Sequence, residues 1–151
     1  MDCNEFKGRI ITQCADIFQR KLVVIKDELK HLSEAIAEDT KSSAGDKYET
    51  GREMANLEKE KLHAQALGFK KSLTTLSILP QSTSNKIDLG SLVQTDKVWI
   101  FLSISLGQLE VDGEKVLVIS PLAPLAQLLI GAQKGEIVNF RDNNYQINNI
   151  C

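Results

Sequence analysis

The 151-residue sequence predicts an α+β protein: an N-terminal antiparallel α-helical coiled-coil hairpin, then a small, mainly antiparallel β-sheet domain with one short helix. Three observations carry that expectation. The hydrophobic period changes from about 3.5 residues to short β-branched and aromatic runs after residue 80. Charge changes with it, from 13 basic and 13 acidic residues up to Pro80 to only 5 and 7 beyond it. Between the halves, Pro80, Gln81, Ser82, Thr83, Ser84 and Asn85 form a polar stretch headed by a helix stopper. The expected domains are residues 1–79 and 86–151, with a linker at 80–85.

The first helix is read from Ile11, Ala15, Phe18, Leu22, Ile25, Leu29, Leu32 and Ile36, which alternate spacings of four and three. No proline or glycine interrupts Arg9 to Ala44, and at about 1.5 Å per residue this seam extends roughly 38 Å. From Asp39 to Asp46 the residues favour turns and caps, so the chain reverses there. A second helix to about Ser77 is expected from Met54, Leu57, Leu62, Ala66, Phe69, Leu73 and Leu76, with its first half weakened by Gly51, Lys59 and Lys61. Two helices of similar length joined by a short turn lie antiparallel and leave an exposed tip near residues 39–46.

Beyond the linker, strands are expected at 92–95, 98–105, 108–111, 115–120, 137–141 and 145–150. Asp112-Gly113 suits a two-residue hairpin turn with positive φ at both positions, and Asn143-Asn144 is a weaker case. Ala123 to Ile130 reads as a short helix opened by Pro124 and stopped by Gly131.

Composition narrows the function. A net charge of −2 argues against a generic grip on nucleic-acid phosphates. No uncharged run of 18 apolar residues exists, and the first five residues lack a secretory pattern, so a cytoplasmic location without membrane association is expected. Cys3, Cys14 and Cys151 share no metal-ligand spacing, and free thiols without a structural disulfide are expected. His31 and His63 have no ligand partners at suitable spacing. Residues 42–47 lack the preceding strand and second glycine of a phosphate loop.

The tip carries the chemistry. Glu34, Glu38, Asp39, Asp46, Glu49 and Glu53 outnumber Lys41, Lys47 and Arg52, and hard carboxylates at a rod's end suit a shared Mg²⁺. A solvated helix end is the plainer reading of the same charges. Asp39, Lys41 and Ala44, followed by Tyr48 and Arg52-Glu53, resemble the tip pattern of the bacterial Gre transcript-cleavage factors. A second segment agrees: Ile119, Ser120, Pro124, Leu125, Ala126, Leu129, Ile130 and Gly131 are similar to the family's Ser-Pro step and short helix ending in Leu-Ile-Gly.

This resemblance implies an FKBP-like C-terminal domain that docks near the RNA polymerase secondary channel, with Ile119, Ser120, Pro124, Leu125 and Gln127 in the partner-binding segment. It further implies a tip of Lys41, Ser42, Ser43, Gly45, Tyr48, Arg52 and Glu53 that reaches the polymerase active centre and, indirectly, the RNA 3′ end. Asp39 matches the first of two acids that help the polymerase hold Mg²⁺ and orient water. The second acid falls on Ser42, a departure that puts cleavage in doubt, and Asp46 is the nearby carboxylate that can compensate or simply cap the second helix. The expected protein is a monomer that binds no metal stably by itself and has no complete active site. The alternatives are a non-cleaving channel modulator, or an FKBP-like prolyl isomerase or chaperone on a helical stalk. Trp99, Phe101, Phe140 and Tyr145 are the aromatics that could line an isomerase pocket, although alternating aromatics in strands usually form a core.

Overall fold

The computed structural model describes residues 2–39, 45–80 and 85–151. Helix α1 spans Cys3–Asp39 and α2 spans Gly45–Ser77. There follow β1 (Leu92–Thr95), β2 (Trp99–Leu102), β3 (Gly107–Val111), β4 (Glu114–Ile119), α3 (Pro124–Leu129), β5 (Ile137–Phe140) and β6 (Asn143–Ile150). The expected α+β class is the observed one. The chain forms two compact units, residues 16–73 and residues 1–15 with 74–151, which divides it elsewhere than the expected boundary at 80–85. Most of that linker, residues 81–84, lies outside the described residues.

Within residues 16–73, α1 and α2 pair along their apolar seams. Phe18, Ile25 and Leu62 are buried, and the rings of Phe18 and Phe69 lie 5.7 Å apart. The Lys21 ammonium caps both rings, 5.7 Å and 5.4 Å from their centroids. On α1 the seam is the expected one. On α2 it is not: Met54 and Leu57 are 67% and 65% exposed, while Ala55 and Lys59 are the partly covered residues at that end. Ala55, Lys59, Leu62, Ala66, Phe69 and Leu73 keep the four-three rhythm unbroken. A lysine stem can take a seam position because its methylenes cover apolar surface while the ammonium reaches water.

The second unit is a six-stranded sheet ordered β3-β4-β2-β1-β6-β5. All pairings are antiparallel except β2 with β4, which run parallel from Trp99 opposite Val116 to Leu102 opposite Ile119. The β3–β4 hairpin makes this possible by turning back at Asp112 (φ 53°) and Gly113 (φ 77°), the expected positive-φ pair. The β5–β6 turn differs from expectation. It falls at Arg141 (φ 54°) and Asp142, so that Asn143 pairs with Phe140 and Asn144 with Asn139 inside the ladder. Burial decides that register: Val138, Phe140, Tyr145 and Ile147 all face the core, and a one-residue slip would turn them out.

One face of the sheet holds Val93, Ile100, Leu102 and Ile147 against Leu125, Ala126 and Leu129 of α3. The other is covered by the first turns of α1. Phe6, Ile10 and Cys14, spaced four apart, are fully buried, and the Phe6 ring meets Trp99 edge-on at 4.9 Å. Leu92, Phe101, Val116 and Val118 alternate to that same side and are also fully buried. Helix α1 therefore starts well before the seam, and its first turns belong to the sheet's core. Arg9 pairs with Asp112, and Gln13 donates to the Glu110 carbonyl at 3.1 Å.

The expectation of free thiols is corrected for two of the three cysteines. Cys3 and Cys151 form a disulfide with Cα atoms 6.2 Å apart across 148 positions of sequence, and only Cys14 is a free thiol. The approach of α1's first turn to the end of β6 creates the pair, and no local pattern announces that approach. At the exit of α2, Gly90 (φ 88°) lies so near Pro80 that a Cβ there would stand 2.7 Å from the Pro80 carbonyl oxygen.

Candidate functional site

The hairpin tip is framed by two helix ends. Asp39 is the last residue of α1, Gly45 the first of α2, and Asp46 and Tyr48 follow within its first turn. Lys41, Ser42 and Ser43 lie outside the described residues, as does Ala44. Arg52 and Glu53 are exposed one to two turns farther along α2, and Glu34 and Glu38 are exposed on the last turns of α1. The seam positions nearest the tip, Ile36 on α1 and Ala55 on α2, are partly covered. Among the described residues no cluster of three or more His, Cys, Asp or Glu could hold a metal ion.

The second candidate surface is the segment from Ile119 to Gly131. Ser120 shapes its entry, accepting the Leu122 N–H on its hydroxyl at 3.2 Å while its carbonyl accepts the Ala123 N–H at 3.0 Å. Pro124 occupies the start of α3, where its missing N–H costs nothing. Gln127 donates its side-chain amide to the Pro121 carbonyl at 2.7 Å, and Gly131 (φ 88°) ends the helix.

Of the residues that sequence assigns to partner binding, Leu125 is buried in the core and Ile119 packs against it, while Pro124 and Gln127 are exposed. The side chains actually presented to solvent include Leu122 and Leu128, 84% and 51% exposed, together with Ile130. Sequence reasoning missed Leu122 and Leu128 because it followed the Ser-Pro and Leu-Ile-Gly pattern. For Leu128 the signal was helical phase, since a short helix packed through Leu125, Ala126 and Leu129 turns Leu128 outward, whereas Leu122 precedes the helix and no local pattern marks it.

The four aromatics do not converge on one pocket, and Trp99 borders a surface pocket with Thr95, Asp96, Lys97 and Lys115. Phe101 is fully buried, Phe140 and Tyr145 pack against the core, and Trp99 is engaged by Phe6. No helix among the described residues is long and apolar enough to cross a membrane.

No family model matches the chain, and no curated protein matches it. Among solved structures it is similar to the crystal structure of GreA factor homolog 1 (Gfh1) of Thermus thermophilus, at 18% identity and a TM-score of 0.38, covering 91% of this chain and 94% of that one. A structure of the transcription factor Gfh1 gives 19% identity and a TM-score of 0.38 over 90% and 92% of the two chains. The crystal structure of Thermus aquaticus Gfh1 gives 19% and 0.36 over 89% and 92%. Similarity at this level runs along most of each chain without fixing a function.

Proposed function

We propose that this chain is a Gre-like regulator of transcription elongation, which binds RNA polymerase near its secondary channel and inserts the α1–α2 tip to act on backtracked or paused complexes in the cytoplasm. One observation carries the reading: both resemblance segments coincide with the elements that the family's division of labour needs. The tip pattern brackets the reversal between α1, ending at Asp39, and α2, beginning at Gly45, and the Ser-Pro segment opens α3. Asp39, at the end of α1, and Asp46, at the start of α2, would be the carboxylates to hold a Mg²⁺ shared with the polymerase, since hard carboxylate oxygens suit that ion and one or two suffice when other ligands come from elsewhere. Such an ion would supply charge stabilisation and water activation.

Ser42 supports a second reading, in which the tip occupies the channel without promoting cleavage, because a hydroxyl cannot replace a carboxylate's charge. An RNA-cleavage assay on a polymerase complex stalled by backtracking tests both. Accelerated release of the RNA 3′ fragment supports the cleaving form, slowed or redirected transcription without release supports the modulator, and absence of polymerase binding removes both.

A further inference from the structure

We propose that the Cys3–Cys151 pair is a reversible thiol–disulfide exchange site, a clasp that small-molecule or protein dithiols open and disulfide oxidants close. The inference is independent of the proposed transcriptional role.

The clasp joins the first residue of α1 to the residue just after β6, and both cysteines are only partly covered, so a thiol reagent can reach them. Two features favour the reduced form. Cys3 stands at the N-terminus of a 37-residue helix, where the helix dipole stabilises an anion. One turn on, Lys7 is nine-tenths buried, and its ammonium donates to the main-chain oxygen of Cys151 at 3.4 Å. Burial lowers its pKa for want of water, and a Cys151 thiolate would give that charge a partner. Stabilising the thiolates makes both sulfurs better leaving groups and the disulfide easier to reduce.

Reclosure is also built in. The Phe6, Ile10 and Cys14 stripe is fully buried and β6 is held by Cys151 N–H to the Leu92 carbonyl, so the sulfurs stay neighbours after reduction. Cys14 does not compete, because it is buried and its pKa is pushed up to about 11.

The exchange balances without a metal. One thiolate of the dithiol attacks one sulfur of the clasp, the S–S bond breaks, and the electron pair leaves on the other cysteine. The dithiol's second thiolate then displaces the first cysteine, so the reagent ends as a disulfide and the protein as a dithiol, with two protons transferred.

The test uses the full chain equilibrated in reduced and oxidised glutathione, quenched in acid, and counted for thiols by maleimide mass shift under denaturing conditions. One thiol is expected at the oxidised end and three at the reduced end, reversibly. Reduction should lower the melting temperature by about 10 °C and speed hydrogen exchange in residues 3–15, because it removes a cross-link across nearly the whole chain. Cys151→Ser should hold the protein in that looser state under both conditions. Lys7→Met should move the half-oxidation point about tenfold toward more reducing glutathione ratios, and Lys7→Arg should restore it. Three thiols at every ratio, a disulfide that resists millimolar dithiothreitol until the protein is denatured, or a half-oxidation point indifferent to Lys7→Met would each overturn the proposal.

Discussion

At the scale of single residues, Asp96 shows how one carboxylate joins two hairpins. It follows β1 and accepts the Gln146 N–H of β6 at 2.9 Å, with Lys97 3.4 Å away. The Gln146 N–H is the main reason its pKa lies below the ordinary 3.8, with Lys97 adding to it. A carboxylate whose folded pKa is depressed stabilises the fold fully above its unfolded value, and the effect fades as pH falls through the folded value. Asp96→Asn should therefore narrow the gap in melting temperature between about pH 6 and pH 2.5, and an unchanged gap would show that the contact carries no linkage. Phe18 is the corresponding test of packing. It is 3% exposed and meets Phe69, so Phe18→Ala should cost about 3 kcal/mol in urea unfolding. Phe18 was legible in sequence because a large apolar residue on a sustained four-three seam has one place to go. Met54 and Leu57 were misplaced for a related reason: their apolarity outweighed the phase that puts Ala55 and Lys59 in the seam.

At the scale of elements, α3 separates side chains that hold the core from side chains that face solvent. Leu125 and Leu129 lie inside the core, whereas Leu122 and Leu128 face solvent. Leu129→Ala should destabilise the fold by about 2–5 kcal/mol. Leu122→Ser with Leu128→Ser should leave the melting temperature nearly unchanged and weaken capture of RNA polymerase; a drop in stability without loss of capture would reverse the assignment. The hairpin gives a second test. A fragment of residues 16–73 should show strong helical circular dichroism, since both faces of its seam lie within it, and a largely unfolded spectrum would mean that the helices depend on the sheet. The existence and type of every described element were readable from period and punctuation, because helix and strand formation follows from neighbours a few residues apart. Turn position was less so. Asn143-Asn144 has better turn chemistry than Arg141-Asp142, yet burial of Val138, Phe140, Tyr145 and Ile147 prevailed over that local preference.

At the scale of the whole molecule, the tip distinguishes chemistry from occupancy. If the wild-type protein accelerates cleavage, Asp39→Asn should nearly abolish it with polymerase binding intact, and Ser42→Glu should raise it. If wild type only slows or redirects transcription, Asp39→Asn should change little, and the readout is run-off RNA length on the same stalled template. The sequence by itself determined the parts and their order, because periodicity, turn chemistry and charge are written within short windows. Tertiary structure alone decided that the first turns of α1 cover the sheet, that β2 and β4 run parallel, and that Cys3 bonds to Cys151. Each of these joins segments far apart along the chain. Such pairings depend on which apolar faces remain uncovered once the local elements have formed, a property of their arrangement in space that no window of sequence contains.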